Sequence, residues 1–294
     1  MKAIVIRSLG GIYNVDALDG VYECSARGVF RNKGISPVCG DNVEITVCDD
    51  GSAVIEKIYD RRSFIVRPPL ANLDVLVLVT STCEPKPNTM LLDKFTAVAL
   101  YKGIKPVIVF TKIDKNDAGA LADVYRSCGF DVYEIDNTSG EGSEHLAKAL
   151  QGKLCAFTGN TGVGKSSLLN NIFPGLDLST GEISKKLGRG RHTTRHVELY
   201  KLPGGGYVAD TPGFSSFDTN RYDIIFKNEL AGCFPEFEKY SGKCRFLDCA
   251  HIKEKGCAVI EAVEKGEIPL SRHESYIDMY ENASKLKEWE HKND

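Results

Sequence analysis

The chain lacks any long hydrophobic run. Its longest apolar stretch, Val75 to Val79 inside LDVLVLVT, is far short of the roughly 20 residues that cross a bilayer, so no segment is expected to span a membrane. The opening MKAIVIRSLGG has no apolar core followed by a small-residue cleavage site, and no secretory signal is read there. The expected location is the cytoplasm. Charge of one sign is also missing: 37 Lys+Arg against 40 Asp+Glu leave a net −3, a balance that argues for no particular partner. With 42% hydrophobic and 26% charged residues, long disorder, collagen and coiled-coil rods are excluded. The 294 residues allow about two domains, or three small ones. Cysteine is not scarce. Ten are present, and without an export signal clustered cysteines bind metal more often than they pair as disulfides. One local departure from neutrality stands out: Lys185, Lys186, Arg189, Arg191 and Arg195 fall in a stretch without a single carboxylate.

Residues 1–68 read as short strands, KAIVIR, VYECSARG, NVEITVC and SAVIEKIY, separated by Gly10-Gly11, Asp19-Gly20, Gly40-Asp41 and Asp50-Gly51. So many strands in so short a segment bury a common face only by curling into a small barrel, OB-like or SH3-like; periodicity does not separate the two. Pro68-Pro69 breaks the pattern. From 71 to 222 buried strands alternate with helices: Val75 to Thr80, Val107 to Thr111, Val132 to Ile135, Leu154 to Thr158 and Tyr207 to Asp210 suit a parallel sheet covered on both faces. Asn88 is placed to cap a helix with Leu91, Phe95 and Val98 on its apolar face, ended by Gly103. Residues 223–294 read as mostly helical. Ser271 and Glu274 have capping-box spacing ahead of a stripe of Tyr276, Met279, Ala283, Leu286 and Trp289 that is expected to pack on the body.

Gly159-Asn160-Thr161-Gly162-Val163-Gly164-Lys165-Ser166 fits G-x-x-x-x-G-K-[ST] between the strand LCAFT and a helix that begins with Ser166 and Ser167. Glycines let the backbone wrap a phosphate with its N–H groups aimed inward. The helix N-terminus adds positive potential, Lys165 reaches the terminal phosphates, and Ser166 Oγ is suited to a magnesium ion. Thr111-Lys112-Ile113-Asp114, after the strand VIVF, resembles the Asn-Lys-x-Asp guanine motif. There the Asp carboxylate accepts from both N1–H and the 2-amino group, a donor pair that adenine does not offer. Thr111 departs from the usual Asn; its hydroxyl is a candidate donor to the base. Asp210-Thr211-Pro212-Gly213 resembles D-x-x-G, with Asp210 holding magnesium through water and the Gly213 N–H sensing the γ-phosphate. Asn137-Thr138-Ser139 fits a fifth, backbone-borne base contact.

The guanine motif precedes the phosphate loop, the reverse of common small GTPases, so the domain looks circularly permuted. On these residues the chain resembles the circularly permuted GTPases, and specifically the small-ribosomal-subunit-dependent GTPase A family. The resemblance implies an OB barrel, a permuted P-loop GTPase domain and a C-terminal zinc domain in this order. It further implies a late checkpoint in assembly of the small ribosomal subunit, contact with its rRNA, and GTP hydrolysis to GDP stimulated by that subunit.

Where many GTPases carry a water-orienting Gln after D-x-x-G, this chain has Phe214. Catalysis is therefore sought in GRGRHTTRHVEL: His192 is the candidate for water positioning or, alternatively, an RNA contact, and Thr193 or Thr194 the second hydroxyl on magnesium. The basic cluster in the same loop suits rRNA phosphates. Cys244, Cys249, His251 and Cys257, spaced C-x4-C-x-H-x5-C, are read as a closed structural zinc site; Cys24, Cys39, Cys48, Cys83, Cys128 and Cys155 are read as core filler. A monomer is expected. Two other functions stay open: a GTP/GDP binding switch with negligible turnover, which Phe214 favours, and a P-loop ATPase or small-molecule kinase, should Asp114 not read guanine.

Overall fold

A computed structural model describes residues 1–32, 34–49, 52–174, 197–210 and 224–286. The first five strands are β1 (Lys2–Leu9), β2 (Ile12–Ala17), β3 (Gly20–Ala26), β4 (Asn42–Val47) and β5 (Ala53–Ile58), with a short helix α1 (Gly28–Asn32) after β3. They pair in the order β1-β2-β3-β5-β4 and close through β1–β4, with β3–β5 as the one parallel pairing of this ring. That is an OB-like barrel, which resolves the choice that strand periodicity left open. Alternation along each strand sends Val5, Val15, Cys24, Val43, Ile45 and Ile55 inward to a shared core.

A small hairpin, β6 (Phe64–Ile65) and β7 (Leu70–Ala71), leads into the α/β layer. Its strands are β8 (Val75–Ser81), β9 (Lys105–Thr111), β10 (Asp131–Ile135), β11 (Leu154–Thr158), β12 (Glu198–Lys201) and β13 (Tyr207–Asp210). The order is β10-β9-β8-β11-β13-β12. The five expected strands are mutually parallel; β12 is added antiparallel to β13. Helices α2 (Thr89–Tyr101), α3 (Gly119–Ser127), α4 (Ser143–Leu150) and α5 (Lys165–Ile172) cover the two faces. Asn88 caps α2 as its spacing predicts, its side chain accepting from Leu91 N at 3.0 Å, and Gly103 follows with φ +69°.

Barrel and α/β sheet are one continuous hydrogen-bonded surface, because β12 also pairs with β1 at Glu198 and Arg7. The seam is buttressed by Asp16, buried on β2, which accepts from Tyr207 OH at 2.7 Å and pairs with Lys201 at 2.8 Å. Burial raises the Asp16 pKa, but Lys201 and Tyr207 outweigh it and hold the carboxyl below its ordinary value of 3.8. Folding therefore favours the charged form. The stabilisation is present above the unfolded value and is lost as pH falls through the folded one. An Asp16→Asn variant is accordingly expected to melt below the parent at pH 7, with the gap closing below about pH 4; a gap independent of pH would show that packing, not charge, holds the seam.

The C-terminal region is helical as expected: α6 (Lys227–Leu230), 3-10 turns at Ala231–Cys233 and Pro235–Tyr240, α7 (Ala258–Glu264) and α8 (Leu270–Ala283). Its core of Phe234, Phe237, Val259 and Tyr276 extends onto Ala97 and Val98 of α2. Tyr276 and Ala283 of the expected stripe are buried; Trp289 lies outside the described residues. The capping box is not formed. Pro269 occupies the cap position without a side-chain bond, and its carbonyl accepts from the backbone N–H groups of Arg272 and His273, so Ser271 already sits inside the first turn. Two cysteines also depart from the core-filler reading, since Cys48 is exposed and Cys83 half-buried, whereas Cys24, Cys39, Cys128 and Cys155 are buried.

Candidate nucleotide site and metal centre

The expected site residues sit at the C-terminal ends of neighbouring strands, where open α/β sheets receive ligands. Register sets this: Thr158 lies beside Leu78, Thr111 beside Ser81 and Ile135 beside Thr111, while Ala209, one residue before Asp210, lies beside Ala156. The loop from Gly159 to Gly164 follows β11 directly and opens α5. Its glycines take up backbone conformations that a side chain would strain. Gly159 has φ +147° and a Cβ there would lie 2.1 Å from Val79 O; Gly162 and Gly164 have φ +84° and +90°. Lys165 folds back over this loop, donating to Gly159 O at 2.7 Å and Asn160 O at 2.8 Å. Its burial pushes the ammonium below the ordinary lysine value, a cost that an arriving phosphate reverses. Thr161 and Ser167 are exposed and Ser166 half-buried at the mouth.

The base-side segments touch this loop. Thr111 is fully buried and its hydroxyl donates to Val163 O at 2.6 Å, with Thr80 O at 3.2 Å. The hydroxyl is thus committed to the phosphate loop and not presented to a base. Lys112 has φ +61° and its ammonium donates to Glu84 O, while Thr82 Oγ1 donates to Lys112 O at 2.8 Å. These bonds pin the turn that projects Asp114. That carboxylate is exposed and makes no hydrogen bond or ion pair among the described residues. Asp136 accepts from the N–H groups of Thr138 at 2.7 Å and Ser139 at 3.2 Å, and hydrogen bonds to this segment lower its pKa. The turn carrying Thr138 and Ser139 is thereby held in place. His192, Thr193, Thr194 and Gly213, with Phe214 and the basic cluster, lie outside the described residues.

Two features were not read from the sequence. The segment between β8 and α2 borders the phosphate loop, with Lys86 and Asn88 sharing a pocket with Gly159, Asn160 and Val163; only its turn composition hinted at it. Arg272 of α8 is fully buried and joins the helical region to the α/β layer. It donates to Asp93 Oδ1 at 2.7 Å, to Thr96 Oγ1 at 3.3 Å and, as a fork, to Glu236 at 2.7 and 3.4 Å. Tyr125 OH also donates to Asp93 Oδ1 at 2.8 Å. A lone arginine in a polar helix carries no local signal of this.

The Cys/His spacing does converge. The ligand atoms of Cys244, Cys249, His251 and Cys257 all lie within 4.8 Å of one another. Cys244 and Cys257 sulfurs are 3.8 Å apart, and His251 Nδ1 is 3.6 and 3.3 Å from them. A tetrahedron with metal–sulfur bonds of about 2.3 Å has edges of about 3.8 Å, so these four can hold a metal ion without moving far. Burial lowers the His251 pKa, favouring the neutral imidazole that ligation needs. The supporting bonds are to the backbone: His273 Nε2 lies 2.7 Å from His251 O, Tyr276 OH donates to Ala250 O at 2.9 Å, and Glu254 accepts from the N–H groups of Ala250, Ile252 and Lys253. Cys233 is buried elsewhere in the helical core and is not part of the cluster.

A phosphate loop, a preceding guanine-type turn and a following Asp at adjacent strand ends, behind an OB-like barrel and ahead of a Cys3His cluster, define a circularly permuted GTPase architecture. The RsgA GTPase family model matches residues 58–220 and the RsgA N-terminal domain model residues 2–55. The chain belongs to the RsgA GTPase family. Among its relatives, the small ribosomal subunit biogenesis GTPase RsgA of Geobacillus sp. (strain WCH70) is 44% identical, covering 96% of this chain and 97% of that protein. The protein of the same description from Alkaliphilus metalliredigens is 41% identical, at 95% and 96% coverage. Two crystal structures are similar throughout: YjeQ from Thermotoga maritima, with TM-score 0.82, 34% identity and coverage of 97% and 99%, and YloQ, a circularly permuted GTPase, with TM-score 0.80, 34% identity and coverage of 97% and 96%.

Proposed function

We propose that this protein hydrolyses GTP to GDP and phosphate as an assembly factor of the small ribosomal subunit, working as a monomer in the cytoplasm. The observation that supports it best is the joining of Thr111 Oγ1 to Val163 O, which sets the Asp114 turn beside the loop that carries Lys165. Asp114 accepts from the guanine N1–H and 2-amino group, Thr138 and Ser139 present backbone to the base, and Thr111 and Lys112 hold the turn in place. The N–H groups from Gly159 to Ser167 wrap the phosphates, while Lys165 exchanges its two loop carbonyls for phosphate oxygens and offsets the charge that develops on them. Ser166 and Asp210, with Thr193 or Thr194, are the residues that would hold magnesium, which would supply positive charge to offset that of the phosphates. The apolar Phe214 cannot orient water, so that task falls to His192, whose loop is completed on the subunit's rRNA through its five basic residues. Three units divide the work: 1–68, 71–222 and 223–294. Zinc is the metal of the Cys3His cluster, on donor softness and closed tetrahedral fit.

Two variants test the reading at its two ends. Asp114→Ala is expected to weaken GTP binding by about a hundredfold or more while leaving the already poor ATP binding unchanged. Lys165→Ala is expected to lower subunit-stimulated turnover by about 10²–10³-fold. Titrations with GTP and ATP, alongside phosphate release with and without purified small subunits, read both. Equal binding of ATP and GTP by the parent protein would sink guanine selectivity, and turnover indifferent to the subunit would favour a different partner.

A further inference from the structure

Asn137 lies two residues beyond the C-terminal end of β10, just ahead of Thr138 and Ser139, and its side chain has no role in the reading above. Its Nδ2 donates to Gly164 O at 3.1 Å, and its own carbonyl accepts from Asn171 Nδ2 of α5 at 3.0 Å. One residue earlier in the loop, Val163 O accepts from Thr111 Oγ1 at 2.6 Å. Two consecutive carbonyls immediately before Lys165 are therefore each held by a side chain from a base-side segment. The approach is tight: a Cβ on residue 164 would lie 2.6 Å from Asn137 Nδ2 and 3.9 Å from Thr111 Oγ1. Positions 111 and 137 thus border the same glycine. Asn137 Oδ1 is buried and without a partner among the described residues. The amide is oriented by its donor end, because exchanging its oxygen and nitrogen would set two acceptors against each other.

We propose that Asn137 is a positioning residue which, together with Thr111, locks the phosphate loop to the base-recognition segments, supplying from the segment after β10 the amide that position 111 lacks. The proposal rests on the guanine-nucleotide reading of the site. A nucleotide bridges the two halves of the pocket, so its affinity depends on their spacing being set before it arrives. The hydroxyl of Thr111 reaches only the nearer carbonyl, at residue 163; the amide of Asn137 takes the next one. An Asn at position 111 is one atom longer than Thr and starts from the neighbouring strand β9, beside Gly164.

The test is binding and dissociation of fluorescent GDP and GTP on the full chain. Asn137→Ala is expected to raise both dissociation constants about tenfold through faster dissociation, as expected when the Gly164 carbonyl loses its side-chain donor. KM for GTP should rise in step, with subunit-stimulated kcat falling less than about threefold. Asn137→Asp keeps the shape but faces the Gly164 carbonyl with an acceptor, and should bind at least as weakly as the alanine variant. In the Asn137→Ala background, Thr111→Asn should restore affinity to within about threefold of the parent. Parent-like affinity of either single variant overturns the proposal, as does a folded double variant that recovers nothing. If the double variant does not fold, the two single variants decide alone. Failure of the guanine reading itself looks different, since the unmodified chain would then bind no guanine nucleotide.

Discussion

Removing the metal from the Cys244–Cys249–His251–Cys257 cluster is expected to unfold residues 224–286 while the phosphate loop still binds GDP. The cluster ties a stretch with little regular structure, from Ser241 to Gly256, to α7 and α8. Around it the core is thin: Phe246 and Leu247 are exposed, and the packing comes from Phe237, Tyr276 and the aliphatic face of α7. Structural zinc contributes on the order of 10 kcal/mol to the folding of such modules, more than the whole stability of many domains. Treatment with a strong chelator, or Cys257→Ser, should abolish the protease resistance of this region and release one equivalent of metal per chain. Returning zinc should restore the resistance, and magnesium should not. The α/β layer has its own cores on both faces, so nucleotide affinity should change little. Unaltered protease resistance after complete metal loss would show that the helical packing suffices.

The second large effect concerns Arg272. Its guanidinium has no exposed surface and lies between the carboxylates of Asp93 and Glu236, themselves 1% and 3% exposed. It also packs over Phe234, Phe130 and Tyr125 at 4.7, 5.2 and 5.8 Å. Burial opposes the charge, but the two carboxylates outweigh it and raise the Arg272 pKa above its already high ordinary value. Arg272→Met leaves two carboxylates in the core with no cation, and breaking a buried pair in this way costs about 3–5 kcal/mol. The melting midpoint should fall by about 10 °C. Arg272→Lys should recover little, because one ammonium cannot fork to Glu236 and reach Asp93 together. Adding Asp93→Asn and Glu236→Gln to Arg272→Met should recover at least half of the loss, because the stranded charges are then gone. If it recovers none, the aromatic stacking of the guanidinium is the dominant interaction. Since Asp93 lies on α2, whose first residues border the phosphate loop, this network is also the rigid joint between the nucleotide layer and the helical region.

Local chemistry is what made so much of this chain readable. The phosphate loop places glycines at set intervals before a lysine, and glycine is the residue that takes the positive φ of Gly159, Gly162 and Gly164 without strain. The metal cluster has four ligands close together in the chain, so proximity in sequence becomes proximity in space. Val75 to Val79 is apolar at every position and buried on both faces, and such a strand announces a covered parallel sheet. The barrel was legible as a barrel, but its type rests on which strands pair across long separations, as in β3–β5 and β1–β4, and alternation along a strand does not encode its partner.

The capping box at Ser271 misled because Pro269 can also open a helix, and the observed start lies two residues earlier than a Ser271 cap would set it. Thr111 was legible as a motif position, yet its hydroxyl's direction was not, since a buried hydroxyl turns to whichever carbonyl lies nearest. Short-range rules of backbone conformation and ligand spacing thus determined the strand order's ingredients, the phosphate loop, the guanine-type turn and the metal cluster from the sequence by itself. Only the tertiary structure decided the continuous sheet through β12 and β1, the Arg272 joint and the hold of Thr111 and Asn137 on successive carbonyls. Each of these joins residues distant in the chain, and the hydrogen bond that makes it exists only once the intervening elements have packed.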